Sequence, residues 1–353
     1  MNRPYLLNFS AIQIESKISL RISLAISSNK KTSTENELNH IPIRSIKLFN
    51  KSFFRINLIG RSDDGTEIIN REYDSNSYGK FEIIIPRNYD REIVKFQIYE
   101  TSLYEGVNIY LGSYLLTALN DPVNLVICDF DKTLVDTKYH TARELYYSLN
   151  KPLNYFPSID SSIKLIKEYI ESSYQPFILS ASPHFYENAI RNWLYQNNIY
   201  TSNIYLKDYR DFISIFDGAM TTKDLKQQGF YKLSQLVDIL SMTGIPNELV
   251  LIGDGFESDP FIYLTLRALI KDKVDPWKLW SSIKNNSIFN LTSKQNSYFL
   301  TKFYKLSELS KRKENVKFNI HIRATEQNII DLKSKIFKNQ FLKDSNKFIN
   351  YYV

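Results

Sequence analysis

Apolar and polar residues alternate along the first third of the chain. From Lys17 to Ile26 every second position is aliphatic, the period of a strand with one buried face. Strand-like runs recur at 53–59, 81–85, 93–99 and 109–114. Turn-forming stretches separate them: Asp63-Asp64-Gly65, Asn76-Ser77-Tyr78-Gly79 and Pro86-Arg87-Asn88-Tyr89-Asp90. Short strands at this spacing predict an all-β, sandwich-like domain over 1–118, with the polar stretch 29–42 as an exposed connection. Past Asn120-Asp121-Pro122 the pattern changes. An apolar run over 123–128 reads as a strand covered on both faces. Helical patterns at 141–149, 160–172, 184–197, 230–243 and 259–270 then alternate with strands at 176–179, 203–206 and 248–252. That alternation predicts an α/β domain over 123–353, a parallel sheet with helices on both faces. Residues 316–322 alternate again before a helix at 326–338, so the sheet is expected to gain its last strand there.

Composition narrows the class. A chain of 353 residues suits two domains, each with its own core. Apolar and charged shares of 43% and 24% are those of a globular protein, and the scarcity of Gly and Pro argues against long disordered stretches. The single cysteine, Cys128, excludes an internal disulfide framework and fits a reducing compartment. No apolar run reaches the roughly 18 residues of a membrane span, and the first residues lack the pattern of a secretory signal. The expectation is a cytoplasmic protein. The net charge of +7 is concentrated late: between 285 and 353 there are 13 Lys and Arg against 5 Asp and Glu. Such a bias suits peripheral contact with an anionic membrane or with nucleic acid. Its plainer reading is a solvated Lys-rich face, and no strong nucleic-acid signal accompanies it.

Four short motifs carry the chemistry, each at the carboxyl end of a predicted strand, where open α/β sheets bind ligands. The first is Asp129-Phe130-Asp131-Lys132-Thr133. Two carboxylates one residue apart at a strand end reach one small site; one attacks phosphorus while the other handles the proton of the leaving group and then of water. Alone this pattern is weak, since acidic pairs commonly decorate loops. The second is Ser180, whose hydroxyl at the end of a strand suits donation to a phosphoryl oxygen; such serines are also common turn formers. Ser182-Pro183 reads as a helix cap followed by the first helical residue. The third is a lysine, Lys232, chosen over Lys223 and Lys226 because it opens a helix. Its charge offsets the crowding of carboxylates and phosphate. The fourth is Gly253-Asp254, with Glu257 and Asp259 close behind. Asp254 and Asp129 together offer oxygen ligands to a hard cation that keeps water and phosphate as its other ligands, which describes Mg²⁺. An anionic nucleophile approaching an anionic ester needs that ion and a lysine.

In this order the motifs resemble the haloacid dehalogenase (HAD) superfamily, whose mark is Asp-x-Asp-x-Thr, Ser/Thr, Lys and an acidic Gly-Asp motif. The resemblance covers roughly 123–323 and implies a Rossmann-like sheet, a phosphatase activity and Mg²⁺ as cofactor. It implies Asp129 as the phosphorylated nucleophile, and Asp131 as general acid and base that also binds the metal through its backbone carbonyl. Ser180 and Lys232 would hold the phosphoryl group, Asp254 would ligate the ion, and Asp259 would support it from behind. More narrowly, the chain is similar to the phosphatidate phosphatase family associated with yeast actin patches. The similarity lies in Ser180-Ala181-Ser182-Pro183, Tyr205-Leu206-Lys207-Asp208, Gly253-Asp254 with Glu257-Ser258-Asp259-Pro260, and the strand at 316–323. Bacterial members of that family likewise carry a β-domain ahead of the catalytic one. The chain departs from the family at Lys132, where an acid is usual. It has Gly-Asp-Gly-Phe-Glu in place of Gly-Asp-Ser-Gly-Glu, and an apparent insertion over 271–310.

Neither 134–175 nor 184–231 leaves room for a large lid, and an open site suits a bulky substrate such as a lipid head group, a protein or a nucleic-acid end. Phosphatidate is the expected substrate. The rivals are a phosphatase of nucleic-acid ends or phosphoproteins, and a binding module with a vestigial catalytic domain. Weaker signals have ordinary readings: Cys128 as an inert strand residue, His184 as a helix-start histidine without a partner, and Trp277 and Trp280 as packing aromatics rather than a membrane-surface helix. The four histidines show no zinc spacing.

Overall fold

The alternation at 17–26 is strand β2 (Lys17–Ser27), paired along its length with β1 (Arg3–Gln13) and β5 (Lys80–Pro86). A computed structural model describes residues 3–27, 52–137, 153–201, 203–208, 228–289, 291, 293–336, 339–343 and 345–353. Two units are distinguished. The first comprises residues up to 120, with 184–189 and Asp208; most of the remainder forms the second. With β3 (Arg55–Arg61), β4 (Glu67–Asp74), β6 (Lys95–Glu100), β7 (Ile109–Leu115) and β8 (Thr117–Ala118), the first unit has two four-stranded sheets, ordered β5-β2-β1-β8 and β4-β3-β6-β7. Pairing is antiparallel except for the short β1–β8 contact. Ile18, Leu20, Ile22 and Leu24 of one sheet share a core with Leu58, Phe96 and Ile98 of the other.

Two strands of this unit escape the two-residue period. In β1 the register slips between Leu6 and Asn8, and a bulge puts one extra residue on that strand, so its apolar residues do not alternate. β4 is an edge strand in which only Ile69 is buried, which leaves no apolar period to read. His184 does have a partner: its Nδ1 lies 3.5 Å from Asp208 Oδ1, both buried. That contact corrects the expectation of a solitary histidine.

The second unit is built on six parallel strands: β9 (Asn124–Cys128), β10 (Gln175–Pro183), β11 (Ile204–Lys207), β12 (Glu248–Asp254), β13 (Lys317–Arg323) and β14 (Ile349–Tyr352). Their order is β11-β10-β9-β12-β13-β14. The chain lays β10 and β11 outward on one side of β9, then returns to place β12 on the other. At such a reversal the loops leaving neighbouring strands part and open a crevice at their carboxyl ends. Connecting helices are α1 (Asp160–Glu171), α2 (Glu187–Gln196), α3 (Gln228–Thr243), α4 (Asp259–Ile270), α5 (Pro276–Ile283), α6 (Ser293–Lys311) and α7 (Glu326–Ile336). The helix expected from 184 starts as a tight turn, His184–Tyr186, before α2.

β13 is not the last strand. β14, four residues with only Ile349 buried, adds a sixth at the edge, too short and mixed to show a period. The stretch 271–310 forms α5 and most of α6. Asp275 caps α5 by accepting the Lys278 N–H, and Trp280 is buried among Phe289, Phe299 and Phe303. Trp277 instead is 57% exposed, which corrects its reading as a packing residue. Among the described residues no helix is long and apolar enough to cross a membrane. The helix at 141–149, the connection at 29–42, Lys223, Lys226 and parts of both intervals too short for a lid lie outside the described residues.

Candidate active site

β9 runs out at Cys128, and the next residue is pinned: Asp129 N–H donates to the Ile252 carbonyl on β12 at 2.9 Å. The chain then turns tightly. Leu134 N–H donates to the Phe130 carbonyl at 2.9 Å and Lys132 N–H to the Val135 carbonyl at 2.7 Å, with Lys132 in the left-handed region at φ 60°. This turn presents both acids of the first motif. Asp129 accepts from the Thr133 hydroxyl at 3.1 Å. Asp131 accepts from Ser180 Oγ at 2.8 Å, from Ser182 Oγ, and from Thr137 Oγ1 at 3.3 Å. Ser180 also accepts the Ser182 N–H at 2.9 Å.

β12 supplies the facing wall. Asp254 Oδ1 accepts the N–H groups of Phe256 and Glu257 at 2.6 and 2.9 Å, so the loop to α4 folds around that carboxylate. Gly253 lets Asp259 come close: a Cβ there would stand 2.5 Å from Asp259 Oδ2. Asp259 Oδ2 in turn accepts the Asp254 N–H at 3.3 Å, and Oδ1 takes the Lys232 ammonium at 2.6 Å. Lys232 lies just inside α3, fully buried, with Asp129 Oδ1 at 3.1 Å and Glu257 Oε2 at 3.8 Å.

Charge is unbalanced here. Burial pushes Asp129 and Asp254 well above the usual carboxylate range, and the neighbouring acids raise them further against the pull of Lys232. Asp259 is raised by burial too, with Lys232 opposing. For Lys232 burial works downward, yet Asp129, Asp259, Glu257 and Asp254 together hold its ammonium well above the ordinary lysine value. One lysine does not neutralise this many buried carboxylates, and a divalent cation would. The residues fit such an ion. Asp129, Asp254 and Asp259 each bring a carboxylate oxygen within 4.8 Å of the others. Asp254 Oδ2 is buried and accepts no hydrogen bond. Oxygen-only donors of this hardness suit Mg²⁺.

Asp129, Lys232, Asp254 and Asp259 thus meet in one cluster, while Asp131 and Ser180 face each other beside it. The carboxylate of Asp131 is engaged by hydroxyls and is not among the oxygens that converge on the cation position. Ser182 is no helix cap: it belongs to β10 and its hydroxyl donates to Asp131. Its spacing from Ser180 was a readable signal, because residues two apart on a strand share a face. Glu257 and Arg323 also enter the site, the latter donating to the Lys132 carbonyl at 2.9 Å. Arg323 comes from β13, too distant in sequence for any local pattern to reveal it. Cys128 is buried, with its thiol raised well above its ordinary value by that burial and then by Asp129, as befits an inert strand residue.

Residues 124–276 match the family model described as phosphatidate phosphatase APP1, catalytic domain. The resemblance read from the motifs is shown for this segment, the HAD placement is consistent with it, and the family implies a phosphatase. No curated protein sequence matches the chain. Similar solved structures include a Bacteroides uniformis β-glucuronidase (TM-score 0.27, 7% identity), aligned over 100% of this chain and 36% of that one. A Lactobacillus rhamnosus β-glucuronidase aligns with TM-score 0.26 and 8% identity over 99% of this chain and 53% of that one. The chain therefore spans only a third to a half of those enzymes' length. TM-scores this low are not those of a shared fold.

Proposed function

We propose that the chain is a Mg²⁺-dependent phosphomonoester hydrolase of the HAD type, working through an aspartyl-phosphate, with phosphatidate as its substrate. The observation that carries this reading is the meeting, at adjacent strand ends, of Asp129 with Lys232 at 3.1 Å and of Asp131 with Ser180 at 2.8 Å. The family match over 124–276 supports the lipid substrate.

In this reading an Asp129 oxygen attacks phosphorus and the bond to the ester oxygen breaks. Asp131, held in place by Ser180, Ser182 and Thr137, gives its proton to the departing alcohol. Asp131 then takes a proton from water, whose oxygen attacks the same phosphorus and frees Asp129 and inorganic phosphate. Lys232 holds an oxygen of the phosphoryl group and pulls against the rise that burial imposes on Asp129. Asp254, with Asp129 and the Asp131 carbonyl, would hold the Mg²⁺, which when bound supplies charge to offset the phosphate oxygens. Asp259 keeps Lys232 in place. The same reading has the protein in the cytoplasm, peripheral to an anionic membrane, and the basic surplus of 285–353 supports it.

The test is phosphate release from a generic phosphomonoester with Mg²⁺, with EDTA, and in Asp129→Asn. Metal-dependent turnover abolished by the substitution is expected, with phosphatidate preferred over a phosphorylated oligonucleotide in kcat/KM. Turnover unchanged in Asp129→Asn would sink the nucleophile assignment. A preference for the oligonucleotide would move the substrate from lipid to nucleic acid.

A further inference from the structure

Lys132 stands inside the first motif, between Asp131 and Thr133. Its backbone is fully committed: the N–H is bonded to the Val135 carbonyl, the carbonyl to Arg323, and φ is 60°. Only its side chain is left to move. The ammonium lies 2.9 Å from Glu257 Oε1, and the other oxygen of that carboxylate is 3.8 Å from the ammonium of Lys232. Glu257 is thus a single anion standing between two lysines, one of which touches Asp129 at 3.1 Å. The two lysines differ in access. Lys232 is sealed at 1% side-chain exposure, while Lys132 and Glu257 retain 11% and 14%.

We propose that Lys132 is a second phosphate-holding cation of this site, and that Glu257 occupies it until a phosphoryl group takes its place. The inference rests on the hydrolase reading above. A phosphoryl group offers more oxygens and more charge than the carboxylate it displaces, and a lysine on a flexible stem follows it readily. Glu257 remains anchored during the exchange, because its N–H is held by Asp254 at 2.9 Å. Lys132 is therefore a specificity-determining residue for the phosphate end of the substrate, and Glu257 is its internal competitor.

The two residues make opposite predictions. With saturating Mg²⁺, inorganic phosphate is used as competitive inhibitor of generic ester hydrolysis and as ligand in calorimetry. Lys132→Met is expected to raise the inhibition constant and KM about tenfold while kcat moves far less, and Lys132→Arg to restore most of the loss. Glu257→Gln is expected to tighten phosphate binding severalfold, since it removes the anion nearest Lys132 and a charge of the same sign as phosphate. Glu257→Asp, too short to bridge both lysines, gives the same direction should the glutamine variant fold poorly. Unchanged phosphate affinity in Lys132→Met, or weaker phosphate binding in both Glu257 variants, would overturn the inference and leave a structural ion pair. Metal-dependent turnover persisting alongside that result would spare the hydrolase reading. Absence of both turnover and phosphate binding in the parent protein would overturn both.

Discussion

Asp254 places one carboxylate oxygen on two backbone N–H groups and leaves the other, buried, without a donor. Burial disfavours the charge of this carboxylate, and Glu257 and Asp259 add like charge around it. Asp254→Asn keeps the oxygen that the backbone needs and replaces the unpartnered anion with a donor. In EDTA it is expected to raise stability by about 1 kcal/mol, visible as a Tm increase of a few degrees. Mg²⁺ is expected to raise the Tm of the parent protein but not of the variant. A lower Tm for the variant in EDTA, or an equal shift with Mg²⁺, would contradict this account of the site. Lys232 is the counterpart. Replacing it by Met leaves Asp129, Asp259 and Glu257 without their shared cation, at a cost of about 3–5 kcal/mol, measurable as a lowered urea midpoint. A loss below about 1 kcal/mol would mean that the acids find other partners or take up protons.

At the level of elements, the junction of β12 with α4 sets the geometry. Gly253→Ala would drive a methyl group into Asp259, 2.5 Å away, and Asp259 is what positions Lys232. We expect a loss of about 1–3 kcal/mol together with a fall in kcat, read from parallel melting and turnover assays. Full activity in a stable Gly253→Ala protein would show that the close approach is dispensable. The opposite end of the sheet is held differently. Glu248, at the start of β12, accepts from Lys317 at 2.8 Å and from the Tyr174 hydroxyl at 2.7 Å. Lys317 first and Tyr174 second lower its pKa below the ordinary 4.5. A carboxyl whose folded value is depressed contributes stability above its unfolded value and loses it as pH falls through the folded one. The Tm advantage of the parent protein over Glu248→Gln should therefore be full at neutral pH and shrink below about pH 4.5. A pH-independent difference would remove Glu248 as the source.

For the molecule as a whole, the charge of +7 with its late concentration predicts binding to vesicles containing phosphatidate that weakens as salt rises toward about 0.5 M, checked by co-sedimentation. Binding indifferent to salt would assign any membrane contact to apolar groups instead. By itself the sequence determined the class of each half, because strand and helix periods are local: β2 alternates, β9 is buried on both faces, and helices separate the later strands. The motif acids were legible for the same reason, since Asp129 and Asp254 directly follow or close apolar strands. Where the period is broken or absent the reading failed, at the bulged β1 and at the edge strands β4 and β14. Only the tertiary structure decided which side chains share charge. The Lys232–Asp259 and Lys132–Glu257 pairs and the Arg323 contact join residues from 27 to 191 positions apart, and Ser182 is set on Asp131 rather than on a helix end. The physical reason is the parallel order of the sheet: laying β9 between β10 and β12 brings their carboxyl ends to one crevice, a proximity that no local pattern in the chain encodes.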